Sequence, residues 1–257
     1  MARMRLDKLL SALAVCSRSG VAALLRAGRV RVDGAAAKDA GMAVDPDVQI
    51  VTLDDQTLEW KAQRTVMLNK PCGVLTAARD PKQPTVLDLL PPLYRAMNCM
   101  PAGRLDKDTE GLLILTTDGQ LAHRLISPKR EVGKLYEAEV DGPLCADDVA
   151  AFAGGLSIRD ADGAFQAKPA ELTILSCGEA ESTARVRVTE GKYHQVRRMF
   201  AARGRMVTAL RRLAIGSLYL DESLQPGQWR ELSPQEIRLL EQAPAEPEAR
   251  RESPAEK

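Results

Sequence analysis

Gly103-Arg104-Leu105-Asp106-Lys107-Asp108-Thr109-Glu110-Gly111-Leu112-Leu113-Ile114-Leu115-Thr116-Thr117-Asp118-Gly119 is the most informative segment of the chain. Leu112 to Leu115 is an unbroken apolar run that closes on the turn signal Asp118-Gly119. Such a run predicts a strand over 112–117 buried on both faces. Asp106 then falls on a loop braced by core, where a single carboxylate can be held in one orientation. Read alone, the same residues also fit a capped turn, because Asp and Thr ahead of a strand often bond backbone amides.

Working outward, the apolar pattern on either side is mostly that of strands. Val66-Met67-Leu68-Asn69-Lys70-Pro71-Cys72-Gly73 runs an apolar strand into a turn that Pro71 and Gly73 enforce. Further strands are expected at 134–140, 170–175, 183–189, 206–210 and 215–220, with one long amphipathic helix at about 193–203 whose faces Val196, Met199, Phe200 and Arg203 mark. Gly191 permits a sharp strand-to-helix turn ahead of it. Strands outnumber helices and do not alternate strictly with them, which predicts an α+β domain on a largely antiparallel or mixed sheet rather than a doubly wound one.

Towards the N-terminus the pattern changes. Leu6, Leu9, Leu10, Leu13 and Ala14 repeat at helical spacing, a second helix runs to Arg26, and Gly28 ends it. Arg29-Val30-Arg31-Val32-Asp33-Gly34 then alternates into a hairpin turn, and 48–53 forms another short strand. This gives a small N-terminal module over 1–60, with a polar linker at 54–63, a second domain over 61–242, and a tail over 243–257 whose Pro, Glu, Ala and Arg content predicts disorder. A chain of 257 residues is long enough for two such domains.

Bulk charge is uninformative at +1, but its distribution is not. Residues 1–31 hold Arg3, Arg5, Lys8, Arg18, Arg26, Arg29 and Arg31 against Asp7 alone, and residues 192–212 hold Lys192, Arg197, Arg198, Arg203, Arg205, Arg211 and Arg212 with no acid. Two basic blocks in a near-neutral chain suggest two contacts with one polyanion; either block alone also fits a solvated face. Five cysteines without ligand spacing point to reduced thiols rather than disulfides or zinc, and two histidines leave little for a metal centre. No apolar run reaches the roughly 18 residues of a membrane span, and no apolar signal core opens the chain, so a cytoplasmic protein with no membrane contact is expected.

In order, Leu68-Asn69-Lys70-Pro71-Cys72-Gly73, Gly103-Arg104-Leu105-Asp106-Lys107-Asp108-Thr109-Glu110-Gly111-Leu112, Lys134-Leu135-Tyr136 and Glu190-Gly191-Lys192-Tyr193-His194-Gln195-Val196-Arg197-Arg198-Met199-Phe200 resemble the motifs of the pseudouridine synthases of ribosomal RNA. The closest subgroup is that of the small-subunit enzymes, and residues 5–53 resemble the S4-like RNA-binding module those enzymes carry. The resemblance covers about residues 5–240. One departure is Leu135, where the family commonly has threonine; on a strand it faces away from Tyr136.

The resemblance implies isomerisation of uridine in RNA to its C-glycoside without cofactor or metal. It places the catalytic carboxylate at Asp106, acting as nucleophile towards the sugar anomeric carbon or uracil carbon 6, or as a base that drives glycal formation. Tyr136 is implied to stack on the flipped target base, and a basic partner that keeps Asp106 ionised is implied at Arg197, with Arg198 as the alternative. Arg104 is implied to fill the gap the base leaves or to grip its phosphate. Lys70, Lys192, His194, Gln195 and Arg198 beside the site, and Arg5, Lys8, Arg18, Arg29 and Arg31 in the N-terminal module, are the remaining implied RNA contacts. The partner is ribosomal RNA, with 16S RNA preferred and an assembling small subunit as a possible form of it, and the enzyme is expected to be monomeric. A 23S-directed enzyme and a non-catalytic ribosome-assembly factor are the alternatives. A carboxylate-dependent glycosidic hydrolase generally needs a second facing carboxylate, for which only Asp108 offers itself.

Overall fold

The computed structural model describes residues 3–242. It is an α+β fold built on a nine-stranded mixed sheet. The sheet path runs Glu171–Cys177, Glu181–Val188, Lys134–Asp141, Val207–Ile215, Glu110–Thr116, Thr65–Lys70, Trp229–Glu231. Neighbours on this path are antiparallel except at the centre, where Val207–Ile215 runs parallel to Glu110–Thr116. The predicted buried strand is there, two residues earlier at its start, and Leu112, Leu113, Ile114 and Leu115 are all fully buried. Leu113 and Leu115 face one core cluster and Leu112 and Ile114 the other, so the run has no polar side because neither face meets water.

The parallel step depends on one glycine. Gly111 pairs with Arg212 at φ +96°, and a Cβ there would stand 2.8 Å from the Arg212 nitrogen and closer still to its carbonyl oxygen. Only glycine accepts both that dihedral and that approach.

The N-terminal module packs Leu6, Leu9, Leu10, Val21, Val30, Val44 and Val51 into its own core. Its helices are Leu6–Ala12 and Val21–Arg26, and its four-stranded sheet runs Ala35–Ala36, Val30–Val32, Val51–Leu53, Gln56–Thr57. Part of the expected 54–63 linker therefore belongs to this sheet, because Gln56 and Thr57 turn back on Leu53 and Thr52. Further along it, Lys61 is tied to the large sheet: its Nζ donates to Glu231 at 2.6 Å, a carboxylate that also accepts from Arg64 and from the Tyr94 hydroxyl at 2.9 Å.

Two other expectations need correction. The segments 206–210 and 215–220 are one nine-residue strand, Val207–Ile215, followed by the short strand Leu218–Tyr219. Arg211 and Arg212 interrupt the apolar pattern without interrupting the strand, because Arg212 is itself buried. The long helix expected at 193–203 is the shorter Gln195–Ala201. The expected disordered tail over 243–257 lies outside the described residues. No helix among the described residues is long and apolar enough to cross a membrane.

Candidate active site

Residues 104–109, between Gly103 and the central strand, are held from three sides. From below, Lys70 ends its strand fully buried, and its ammonium donates to the carbonyl oxygens of Pro71 (3.0 Å), Lys107 (3.1 Å) and Thr109 (2.9 Å). Burial pulls its pKa down. Three carbonyl acceptors offset part of the cost of placing an ammonium there. From the next loop, the Thr76 hydroxyl donates to the Leu105 carbonyl at 2.7 Å, and the Leu105 amide lies 3.2 Å from the same hydroxyl oxygen. From the helix, Arg197 Nη2 donates to the Asp108 carbonyl at 3.1 Å while Nη1 donates to that of Val207 at 3.0 Å. Within the loop the Thr109 amide donates to the Asp106 carbonyl at 3.1 Å. The Asp106 side chain is thus left partly exposed on a fixed backbone, at the edge of a cavity of about 700 Å³.

Tyr136, Arg104, Lys192, His194 and Gln195 line the same cavity. Among the described residues, the one basic side chain within 4 Å of the Asp106 carboxylate is His194, with Nε2 3.6 Å from Oδ1. His194 is the N-cap of its helix in the left-handed region, φ 49° and ψ 30°. Backbone strain of this kind gathers at functional sites. Its ring is stacked on Tyr193 at 3.8 Å, and Tyr193 stands 61% exposed beside the cavity mouth, where Met100 and Ile126 are also exposed. Gln195 is buried: its amide donates to Glu190 at 2.8 Å and its oxygen accepts from the Lys192 amide at 3.0 Å, which fixes the turn into the helix.

Several expected contacts are placed elsewhere. Lys70 has no exposed surface with which to touch RNA and instead supports the Asp106 loop. Arg198 is not a partner of Asp106: it is buried against Asp160 in a two-point ion pair at 2.8 Å and lies over the Phe165 ring. Arg197 lines an adjoining open groove and grips backbone carbonyls, not the Asp106 carboxylate. Much of the second basic block is likewise committed within the chain, with Arg203 on Asp148 and Arg205 on the Pro143 carbonyl. In the first block Arg5 is paired with Asp7 and Arg29 with Asp54, and Arg31 reaches the Gly34 carbonyl; Lys8 and Arg18 are exposed.

The residue that the sequence did not single out is Arg212. It is 2% exposed and lines the cavity from the facing strand, in register with Tyr136. Its Nε donates to the Leu112 carbonyl at 2.8 Å and its Nη1 to the Tyr136 hydroxyl at 3.4 Å. Lys134 lies in the same lining, and its ammonium donates to the Val132 carbonyl at 3.0 Å. Burial first, and repulsion from Arg212 second, bring its pKa down to about 8.

The sequence profile of the family described as RNA pseudouridylate synthase matches residues 64–202, which is more than half of the chain. The chain belongs to the RNA pseudouridylate synthase family. An S4 domain profile matches residues 4–50, over the N-terminal module. As an RNA pseudouridine synthase with an S4 domain, it is 44% identical over 242 residues to an uncharacterized RNA pseudouridine synthase, YtzG, of Bacillus subtilis (strain 168), covering 94% of this chain and 100% of that one. It is 40% identical over 237 residues to ribosomal small subunit pseudouridine synthase A of Yersinia pestis, covering 91% and 97%. A crystal structure of a pseudouridylate synthase superposes with a TM-score of 0.63 at 36% identity, covering 92% of this chain and 99% of that one. The isomerase family thus coincides with the domain that carries the Asp106 cavity.

Proposed function

We propose that this pseudouridine synthase converts a specific uridine of 16S ribosomal RNA into pseudouridine, as a cytoplasmic monomer acting on RNA or on an assembling small subunit. The observation that carries the reading is the opening of Asp106 and Tyr136 into one cavity lined by Arg104 and Lys192. A cavity of this size admits a whole nucleotide but not a duplex, so the target uridine leaves its stack to enter, at a cost of a few kcal/mol. Tyr136 gives the base an aromatic face, worth roughly 1–3 kcal/mol.

Asp106 is the group that acts on the bond between the sugar and uracil nitrogen 1. Its loop is already rigid through Lys70, Thr76 and Arg197, so little reorganisation is left for the reaction. Arg197 acts through the Asp108 carbonyl as a positioning residue. His194, 3.6 Å from Asp106, moves aside or shares the carboxylate when the nucleotide enters. Exposed Lys8 and Arg18 of the S4 module hold folded RNA through phosphates, which carry register rather than sequence. The small-subunit assignment is supported by the 40% identity to the Yersinia pestis small-subunit enzyme over nearly the full length of both chains.

The test is to map pseudouridines across ribosomal RNA from cells with and without this protein. Loss of a single 16S site, restored by the cloned chain, is the expected result. An unchanged 16S map with a lost 23S site would overturn the small-subunit assignment.

A further inference from the structure

Arg212 and Lys134 are cations in a cavity wall, and neither has an anion. Among the described residues neither is part of an ion pair. Arg212 is nearly fully buried with Nη2 lacking any hydrogen-bond partner, and the Lys134 ammonium has a single acceptor, the Val132 carbonyl. Retaining an unpaired guanidinium in a protein interior costs several kcal/mol, and elsewhere in this chain buried arginines are matched, as Arg198 is by Asp160 and Arg64 by Glu231. The Tyr136 hydroxyl accepts from Arg212, so its own proton is free to point elsewhere. The Thr109 hydroxyl, in the same wall, is also buried without a partner. One wall of the cavity therefore carries an excess of donors and positive charge.

We infer that Arg212 and Lys134, with the Tyr136 hydroxyl, form an oxyanion-type site that receives the negative charge of uracil once it is cut from the ribose. This rests on the isomerase reading above. When the bond from carbon 1′ to nitrogen 1 breaks, its electron pair stays on the ring and spreads to the two carbonyl oxygens. The ring then turns, carbon 5 donates a pair to form the new bond to carbon 1′, the proton on carbon 5 leaves, and nitrogen 1 gains one. The product is an isomer, so no co-reactant is needed. Preorganised donors matter most for charge that exists only part-way through a reaction, in a site shielded from water. The strand register puts Arg212 directly opposite Tyr136, so the charge acceptor and the aromatic face move as one unit.

The rival occupant is the phosphate of the target nucleotide, and the two differ in what they make measurable. Lys134→Met and Arg212→Met are compared with wild type on a 16S transcript made with 5-tritiated uridine. Tritium release gives the single-turnover rate at saturating RNA, and filter binding gives the Kd at several salt concentrations. The expected result is a rate lowered by about 10²-fold or more, with Kd and its salt slope unchanged. A wild-type rate overturns the inference. So does a weakened Kd with a salt slope smaller by about one, the mark of a lost phosphate contact. Arg212 also anchors the Leu112 carbonyl; if its variant fails to fold, Lys134→Met decides alone. If wild-type protein itself releases no tritium from any ribosomal RNA, the reading of the function fails and the inference falls with it; a wild-type protein that releases tritium beside variants that release it equally fast overturns the inference alone.

Discussion

The ammonium of Lys70 lies 2.9 Å from the carbonyl oxygen of Thr109, on the far side of the loop that presents Asp106 to the cavity. A lysine that reads as a surface cation is thus an internal clamp on the Asp106 loop. Lys70→Met should leave RNA affinity and its salt dependence at wild-type values, because no phosphate contact is lost. It should lower stability by roughly 1–3 kcal/mol by stranding buried carbonyls, and it should slow turnover as the loop loosens. Urea unfolding, RNA binding and tritium release measured on the same preparation check all three.

Gly111 makes a sharper demand. A methyl group there meets the backbone of Arg212 and forces a positive φ on a residue with a side chain. Gly111→Ala should destabilise the large domain by more than about 3 kcal/mol, seen as a lowered urea midpoint or as insoluble protein. A soluble variant with an unchanged midpoint would show that the parallel step at the sheet centre is less tight than described.

Acid should loosen the C-terminal edge of the sheet. Arg230 bonds Asp221 and Glu236, and hydrogen bonds from Ser223 and Arg230 to Asp221, and from Arg230 and Ser233 to Glu236, hold each carboxyl at about 2. Both values lie below the ordinary carboxylate range, so their contribution is complete above about pH 4.5 and is lost as pH falls towards 2. Arg230→Met should move the acid-unfolding midpoint, followed by circular dichroism, to higher pH.

Within the S4 module the arginines should not be equivalent. Arg29 is held by Asp54, whereas Arg18 is exposed and donates no hydrogen bond to the described residues. Arg18→Ala should weaken RNA binding at all sequences and reduce the salt slope by about one; Arg29→Ala should do less. Equal slopes for both variants and wild type would remove this face from the RNA interface.

What was legible in the sequence follows from where each residue's physics is local. The apolar run at Leu112–Leu115 announces its burial on both faces, and Leu6, Leu9 and Leu10 announce a helix, because periodicity alone fixes them. Arg212 and Lys70 were not legible. Each is a cation whose burial is decided by carbonyls distant in sequence, Leu112 for one and Lys107 and Thr109 for the other. The same blindness split Val207–Ile215 in two, since Arg211 and Arg212 look like surface in a one-dimensional pattern. The strand Gln56–Thr57 was hidden by its polarity, as both residues are exposed on an edge. Arg197 and Arg198 are adjacent in sequence, and only the fold separates the one on the Asp108 carbonyl from the one on Asp160.

Whether the Asp106 carboxylate acts on the uridine is decided by Asp106→Asn assayed on a 16S transcript. The substitution keeps the shape of the side chain, and none of the loop's backbone bonds uses the carboxylate. The expected result is a folded protein that binds RNA with wild-type affinity and forms no pseudouridine. Conversion at the wild-type rate by a folded Asp106→Asn protein would contradict it.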